Sequence, residues 1–170
     1  MLETNRLILR KYTAEDIPAL HKILSDPVTM SFWPAPFSEA QSLAWFERVL
    51  KSYDDHGFGR MIIMLKETGE LIGDCGIVFD NIIDGKTEND LGYIVHHPNW
   101  KKGYASEAAN AVKQFAFDSL KLERICANMA FDNIASVKTA EKIGMTKEKE
   151  FYNTRNRNIL TYLFSINRNL

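Results

Sequence analysis

The sequence predicts an α+β sandwich built on a mixed sheet, and three observations predict it. Apolar runs between Gly59 and Phe79 are broken by the turn residues Glu67-Thr68-Gly69-Glu70, as in an antiparallel hairpin. Between Asp90 and Met129 a strand, a glycine turn, a helix and a second strand follow one another, a βαβ-type unit. A short helix and two more strands then close the chain.

Taken in order, Arg6 to Lys11 reads as an edge or first strand, and Ala14 to Ile23 and Glu39 to Ser52 as helices. The loop Asp26 to Ser38 separates them, with Ser38 placed to N-cap the second helix. Gly59 to Leu65 and Leu71 to Phe79 are the hairpin strands, and Asp84-Gly85 marks the turn into the next strand. Asp90 to Val95 is a strand of apolar and aromatic residues ended by Pro98 and Asn99. Ala108, Val112, Phe115 and Ala116 then recur at helical spacing, with Glu107, Lys113 and Asp118 between them. Arg124 to Met129 is the next strand, followed by a helix from about Ile134 to Lys142 that Gly144 terminates as a C′ glycine. Lys147 to Tyr152 and Ile159 to Ile166 complete the sheet.

With 170 residues and 45% hydrophobic content the chain suits one well-buried core, so 1–170 is read as a single domain. No repeat, low-complexity tract or linker interrupts it. A net charge of -1, with basic residues scattered except at Lys101-Lys102 and Arg155/Arg157, gives no general attraction to nucleic acid or membrane. The opening lacks a signal-peptide pattern, and no stretch approaches the roughly 20 apolar residues of a membrane span, so a cytoplasmic location is the expectation. Cys75 and Cys126 fall inside strands as core thiols rather than metal ligands or nucleophiles, and no metal site is expected.

Chemistry is signalled by Trp100-Lys101-Lys102-Gly103-Tyr104-Ala105-Ser106-Glu107-Ala108, between a strand and a helix. The small residues Gly103 and Ala105 let the backbone approach a ligand, and the first amides of a helix have no partner within it. Those amides and the positive end of the helix dipole suit a pyrophosphate, with Lys101 and Lys102 adding charge. A Walker-type G-x-x-x-x-G-K-[ST] run and the dinucleotide fingerprint G-x-G-x-x-G are both absent.

The stretch resembles motif A of the GNAT family of N-acetyltransferases, Q/R-x-x-G-x-G/A. Gly103 and Ala105 fit it, and Trp100 stands in place of the polar first residue. The resemblance extends over nearly the whole chain and points to the ribosomal-protein-alanine (RimJ/RimL-type) branch. Its elements are Glu3-Thr4-Asn5-Arg6-Leu7-Ile8-Leu9-Arg10 with Glu15-Asp16, then Leu91-Gly92-Tyr93, Asn133-Ile134-Ala135-Ser136 and Glu141-Lys142-Ile143-Gly144-Met145. It implies a mostly antiparallel sheet with helices on both faces, and a splayed strand pair, Leu91 to His96 and Arg124 to Met129, that forms an acetyl-CoA cleft. Acetyl-CoA is then the co-substrate, held by Ile94 and Val95 along the strand, by Lys101, Lys102, Gly103, Tyr104, Ala105 and Ser106 at the pyrophosphate, and by Asn133 and Ser136.

Gly92 is read as a bulge near the splay, freeing amides to face the acetyl carbonyl, with close packing as its alternative. An amine must lose a proton before it attacks. At pH 7 about one lysine-like amine in a few thousand is neutral, against roughly one α-amine in seven. Asp90, His96 and Glu88 are the candidate bases, while His97 is read as capping the strand end and His21 and His56 as ordinary helix or loop residues. Many family members carry a tyrosine that protonates the leaving thiolate where this chain has Ala140. In the ribosomal-protein branch an Asn-x-x-Ser pair serves, which Asn133 and Ser136 match. The serine would donate to the CoA sulfur and the asparagine would hold the pantetheine arm; a plain N-cap is the competing reading of Asn133. Tyr152 and Tyr162 are alternative donors.

Substrate choice is expected from the loops Ser31 to Phe37, rich in aromatics, and Tyr152 to Asn158. Phe32, Trp33, Gly92 and Tyr93 are the candidate acceptor contacts, although Phe32 and Trp33 also suit packing on the core. No ring of carboxylates announces a polyamine pocket. The expected activity is acetyl transfer to a primary amine by direct attack in a ternary complex, with a protein or peptide N-terminus ahead of a small amine, in a monomer or homodimer. A catalytically silent acyl-CoA-binding sensor is the alternative.

Overall fold

A computed structural model describes residues 1–168. Eight strands form one sheet: β1 (Leu2–Glu3), β2 (Leu7–Arg10), β3 (Arg60–Leu65), β4 (Leu71–Ile83), β5 (Lys86–Val95), β6 (Arg124–Ala130), β7 (Thr146–Asn153) and β8 (Ile159–Asn167). Their spatial order is β1-β2-β3-β4-β5-β6-β8-β7, and every neighbouring pair is antiparallel except β5 and β6. The expected α+β architecture with its mixed, mostly antiparallel sheet is the one observed.

Alternation along the strands divides the apolar residues between two faces. On β3, Ile62 joins Leu20, Ile23, Trp45 and Val49 from helices α1 (Ile17–Leu24) and α2 (Glu39–His56). Met61 and Ile63 turn to the other face, against Ala108, Ala109, Val112, Ala140 and Ile143 from α3 (Tyr104–Asp118), α4 (Ile134–Lys142) and the turn after it. Two helices therefore cover each face.

The caps explain the boundaries. Ser38 Oγ accepts from Gln41 N while Gln41 Oε1 accepts from Ser38 N, a closed capping box at the head of α2. That helix runs a turn beyond Ser52, because the left-handed residue that ends it is Gly57. Gly144 ends α4 in the left-handed region, as the sequence predicts. β4 is longer than expected: it continues to Ile83 through a shift in register between Val78 and Asn81, where Asp80 has φ +50°. Among the described residues no helix is long and apolar enough to cross a membrane.

Candidate functional site

β5 and β6 pair at a single position, Asp90 opposite Cys126, and no ladder joins them beyond it. A cavity of about 760 Å³ occupies that region, within the range of about 300 to 1,000 Å³ usual for small-molecule sites. Its walls include Trp45 and Arg48 of α2 and also Asn133 and Ser136 at the head of α4. Those helices lie on opposite faces, so the cavity passes through the sheet where the two strands part.

Asp90 lines the cavity. Its Oδ2 accepts from Asn81 Nδ2 and from Asn128 Nδ2, each at 3.0 Å, whereas Oδ1 is buried without a hydrogen-bond partner. Burial pushes the carboxyl up to about 6, against the lowering influence of the two amides and of the Arg60 charge. Beside it, Arg60 of β3 grips Asp74 of β4 through Nε (2.8 Å) and Nη2 (2.6 Å). Tyr12 and Trp45 also donate to Asp74. Burial works against the Arg60 charge, and Asp74 more than offsets it, so the guanidinium is held protonated.

Gly92 has a different role from the bulge expected of it. Its pairing with Gly76 is regular, and the irregularity of this strand pair lies in β4 instead. A Cβ at Gly92 would stand 1.9 Å from Arg60 Nη1, so the residue is a glycine because the guanidinium lies against it. Close packing is the correct reading.

The loops expected to shape the substrate side do meet. Asn156 Nδ2 donates to Phe32 O at 2.8 Å, joining the β7–β8 turn to the aromatic loop, and both residues line the cavity. Trp33, Phe37 and Trp45 form an edge-to-face trio with centroids 5.5 to 5.8 Å apart. Trp33 is thus both packed on the core and part of the wall.

The phosphate-loop residues Lys101 to Ser106 lie outside this cavity, at the head of α3 on the opposite face of the sheet from α2. Gly103 has φ +81° and supplies no side-chain cap, which leaves the first amides of α3 open to a ligand. Lys101 is also left-handed, at φ +62°. The turn is braced from the N-terminal segment. Arg6 Nη1 donates to Lys102 O at 2.9 Å, Arg6 Nε to Glu107 Oε2 at 2.7 Å, and Thr4 Oγ1 to Glu107 Oε1 at 2.6 Å. Trp100, whose indole donates to Val95 O at 2.6 Å, ties the turn to the end of β5.

Of the other residues singled out by sequence, Ile94, Gly92, Tyr93, Asn133 and Ser136 line the cavity. Tyr93 Oη donates to Ser136 O at 2.9 Å, a bridge from β5 to α4, and burial pushes the phenol well up. Asn133 Oδ1 accepts from Ser136 N at 3.2 Å, so it does N-cap α4. His96 is not among the lining residues. It stands past the end of β5 with His97 and Asp26, and burial lowers its imidazole. His97 pairs with Asp26 at 2.8 Å, bracing the strand end. Glu88 is engaged by Arg124 at 3.1 Å. His21 bonds Ser42 between α1 and α2, while His56 stacks on Phe79 at the cavity rim. Tyr152 is exposed, and Tyr162 lies under Lys147; neither lines the cavity. Cys75 and Cys126 are buried thiols, Cys75 pushed up to about 12 by burial.

Arg60, Asn81 and Asn128 were not legible as cavity residues. Arg60 and Asp74 did leave one signal, a lone charge in each of two otherwise apolar strand runs.

Comparison with known proteins agrees with this fold. The family model described as acetyltransferase (GNAT) domain matches residues 6–146. The chain is 33% identical to a protein named uncharacterized N-acetyltransferase p20 from Bacillus licheniformis over 97% of this chain and 94% of that one. It superposes on a GNAT-family acetyltransferase from Bacillus anthracis with TM-score 0.81 at 28% identity, covering 98% and 97% of the two chains. The ribosomal-protein-S5-alanine acetyltransferase of Vibrio fischeri shares the fold at TM-score 0.79 and 20% identity, covering 98% and 96%.

Proposed function

From the premise that the chain belongs to the GNAT acetyltransferase family, we propose that it acetylates an α-amine by direct attack in a ternary complex. The enzyme is an N-acetyltransferase and acetyl-CoA is its co-substrate. What is proposed is the acceptor class, the ribosomal-protein-alanine type of branch with a peptide N-terminus ahead of a small amine, and the residues that do the work.

The residues present suit acetyl-CoA. The uncapped head of α3, with Lys101 and Lys102 beside it, suits the pyrophosphate, and the gap between β5 and β6 gives the pantetheine arm a strand edge, Gly92 to Val95, to lie along. The acetyl thioester supplies the acyl group. Asn133 and Ser136 stand where the arm would emerge into the cavity, Ser136 to donate its hydroxyl to the sulfur as it leaves.

The observation that carries the reading is Asp90, a cavity carboxylate with one oxygen unpartnered and a pKa placed just below neutrality. Such a group is ionised at pH 7 and accepts the proton of an ammonium, directly or through water. An α-amine asks little of it, being partly neutral already.

The test begins with a calorimetric titration by acetyl-CoA, with ATP and NAD as controls, and continues with thiol release on adding peptide N-termini or small amines. Selective binding and amine-dependent release are expected; binding without release on any amine would leave a sensor. Gly103→Glu should abolish acetyl-CoA binding, and Ser136→Ala should lower turnover while sparing it. Retained affinity in the first, or an unchanged rate in the second, would remove that residue from the scheme.

A further inference from the structure

The cavity at the β5–β6 gap carries charge of both signs. It is lined by Arg48, Lys51, Arg60 and Arg155, against Asp55 and Asp90. Lys51 and Asp55 neutralise one another one helical turn apart, at 2.8 Å. Asp74 occupies Nε and Nη2 of Arg60 but not Nη1, which lies against Gly92 and makes no hydrogen bond to another described residue. Arg48 and Arg155 form no ion pair among the described residues, and Asp90 is committed to its two amides on one oxygen. With Arg60 balanced by Asp74, Arg48 and Arg155 against Asp90 leave a surplus of one positive charge.

Its placement is specific. The Arg60 guanidinium carbon stands 4.9 Å from the Trp45 ring and that of Arg48 5.4 Å from it, so both cations gather at one indole. Arg155 arrives on the β7–β8 turn that Asn156 fastens to Phe32. Arg60 is buried and fixed, while Arg48 and Arg155 are exposed and free to close on a ligand. A positive lining repels a polyamine, and a bare ammonium gains nothing from it. A carboxylate gains charge-assisted hydrogen bonds from guanidinium groups whose planar forks match it.

We propose that the acceptor is a carboxylate-bearing amine, whose anionic group is held by Arg60 Nη1, Arg48 and Arg155 while its amine faces Asp90. The carboxylate is either that of a free amino acid or an acidic side chain next to a peptide N-terminus. Trp33 and Phe37 give the rest of the molecule an apolar wall. This rests on the acetyl-transfer reading above.

Two matched series test it. In the first, L-tyrosine is compared with L-tyrosinamide and tyramine as acceptors. The amine of tyrosinamide is less basic than that of tyrosine, so the amide is the better acceptor wherever the carboxylate is ignored. In the second, C-terminally amidated peptides with Glu or Gln after the N-terminal residue are compared. The carboxylate member of at least one series should lead in kcat/KM by about 10- to 100-fold, the range expected when a hydrogen-bonded charge is lost. The series that responds identifies the source. Arg48→Gln and Arg155→Gln, both at exposed positions, should shrink that ratio about tenfold, mainly through KM. Equal rates within both series, or a preference for spermidine, would overturn the proposal.

Binding provides a readout independent of turnover. N-acetyl-L-tyrosine and the N-acetylated Glu peptide are titrated into the CoA-loaded protein beside N-acetyl-L-tyrosinamide and the N-acetylated Gln peptide. Tighter binding of either acid supports the anion site even if no amine releases thiol, an outcome that would sink the acetyl-transfer reading alone. Indifference to the carboxylate in both pairs overturns the inference whatever the rates.

Discussion

Two carboxylates lie buried in neighbouring strands of one sheet, Asp74 on β4 and Asp90 on β5, and their surroundings differ in kind. Asp74 receives two arms of Arg60, the hydroxyl of Tyr12 and the indole of Trp45, so each of its oxygens is occupied. Asp90 receives two neutral amides on one oxygen and nothing on the other. An acid that is paired and saturated holds structure, because taking up a proton would break the bonds that justify its burial. An acid that is buried, without a cationic partner in contact and with one oxygen unpaired is costly to keep. That cost marks it as a candidate for chemistry.

The largest expected effect lies at Asp74. Asp74→Ala strands the Arg60 charge in the core and should cost about 3 to 5 kcal/mol, read as a lowered urea midpoint. A loss under about 1 kcal/mol would erase the distinction between the two acids. Asp90→Asn should act in the opposite sense: turnover falls by roughly 10²-fold, the low end for a general base because an α-amine is already partly neutral, while stability at pH 7 stays level or rises. The sign follows from linkage. The carboxyl of Asp90 is raised to about 6 in the folded chain, above its unfolded value, so folded protein binds the extra proton between the two. Its contribution to stability is full below the unfolded pKa and lost as pH rises through about 6, by up to about 3 kcal/mol. Asp90→Asn removes that loss. Wild type should therefore weaken from pH 4 to 7 relative to Asp90→Asn, and parallel profiles would show that burial does not raise the pKa of Asp90.

The same contrast shows what the sequence could reveal. Element order was readable because periodicity and turn residues are local: the hairpin across Gly69, the glycine turn at Gly103 and the stop at Gly144 each rest on a few adjacent residues. Asp90 was readable as a candidate base from its place beside a strand. Its unpartnered oxygen was not, since the amides that satisfy the other oxygen come from Asn81 on β4 and Asn128 on β6. Gly92 shows the limit from the other side. A glycine in a strand signals either a bulge or a close approach, and only the arrival of Arg60 from β3, two strands away, decides between them. His96 follows the strand that carries Asp90 but lies past its end, where the chain turns towards Asp26.

The finest test of the comparison alters the environment of Asp90 without touching the carboxyl. Hydrogen bonds from Asn81 and Asn128 favour its charged form and hold its pKa below where burial alone would put it. Removing one donor, as in Asn81→Ala, should move the pKa further up, by about one unit. If Asp90 is the base, the rising limb of kcat/KM against pH, expected near 6 in the wild type, must follow it to higher pH, with the plateau rate little changed. His96→Gln should leave the limb in place, because that imidazole lies outside the cavity. A limb that follows His96 and ignores Asn81 would transfer the proton to the histidine. It would also reduce the unpartnered oxygen of Asp90 to a packing defect, with no more bearing on catalysis than the saturated pair at Asp74.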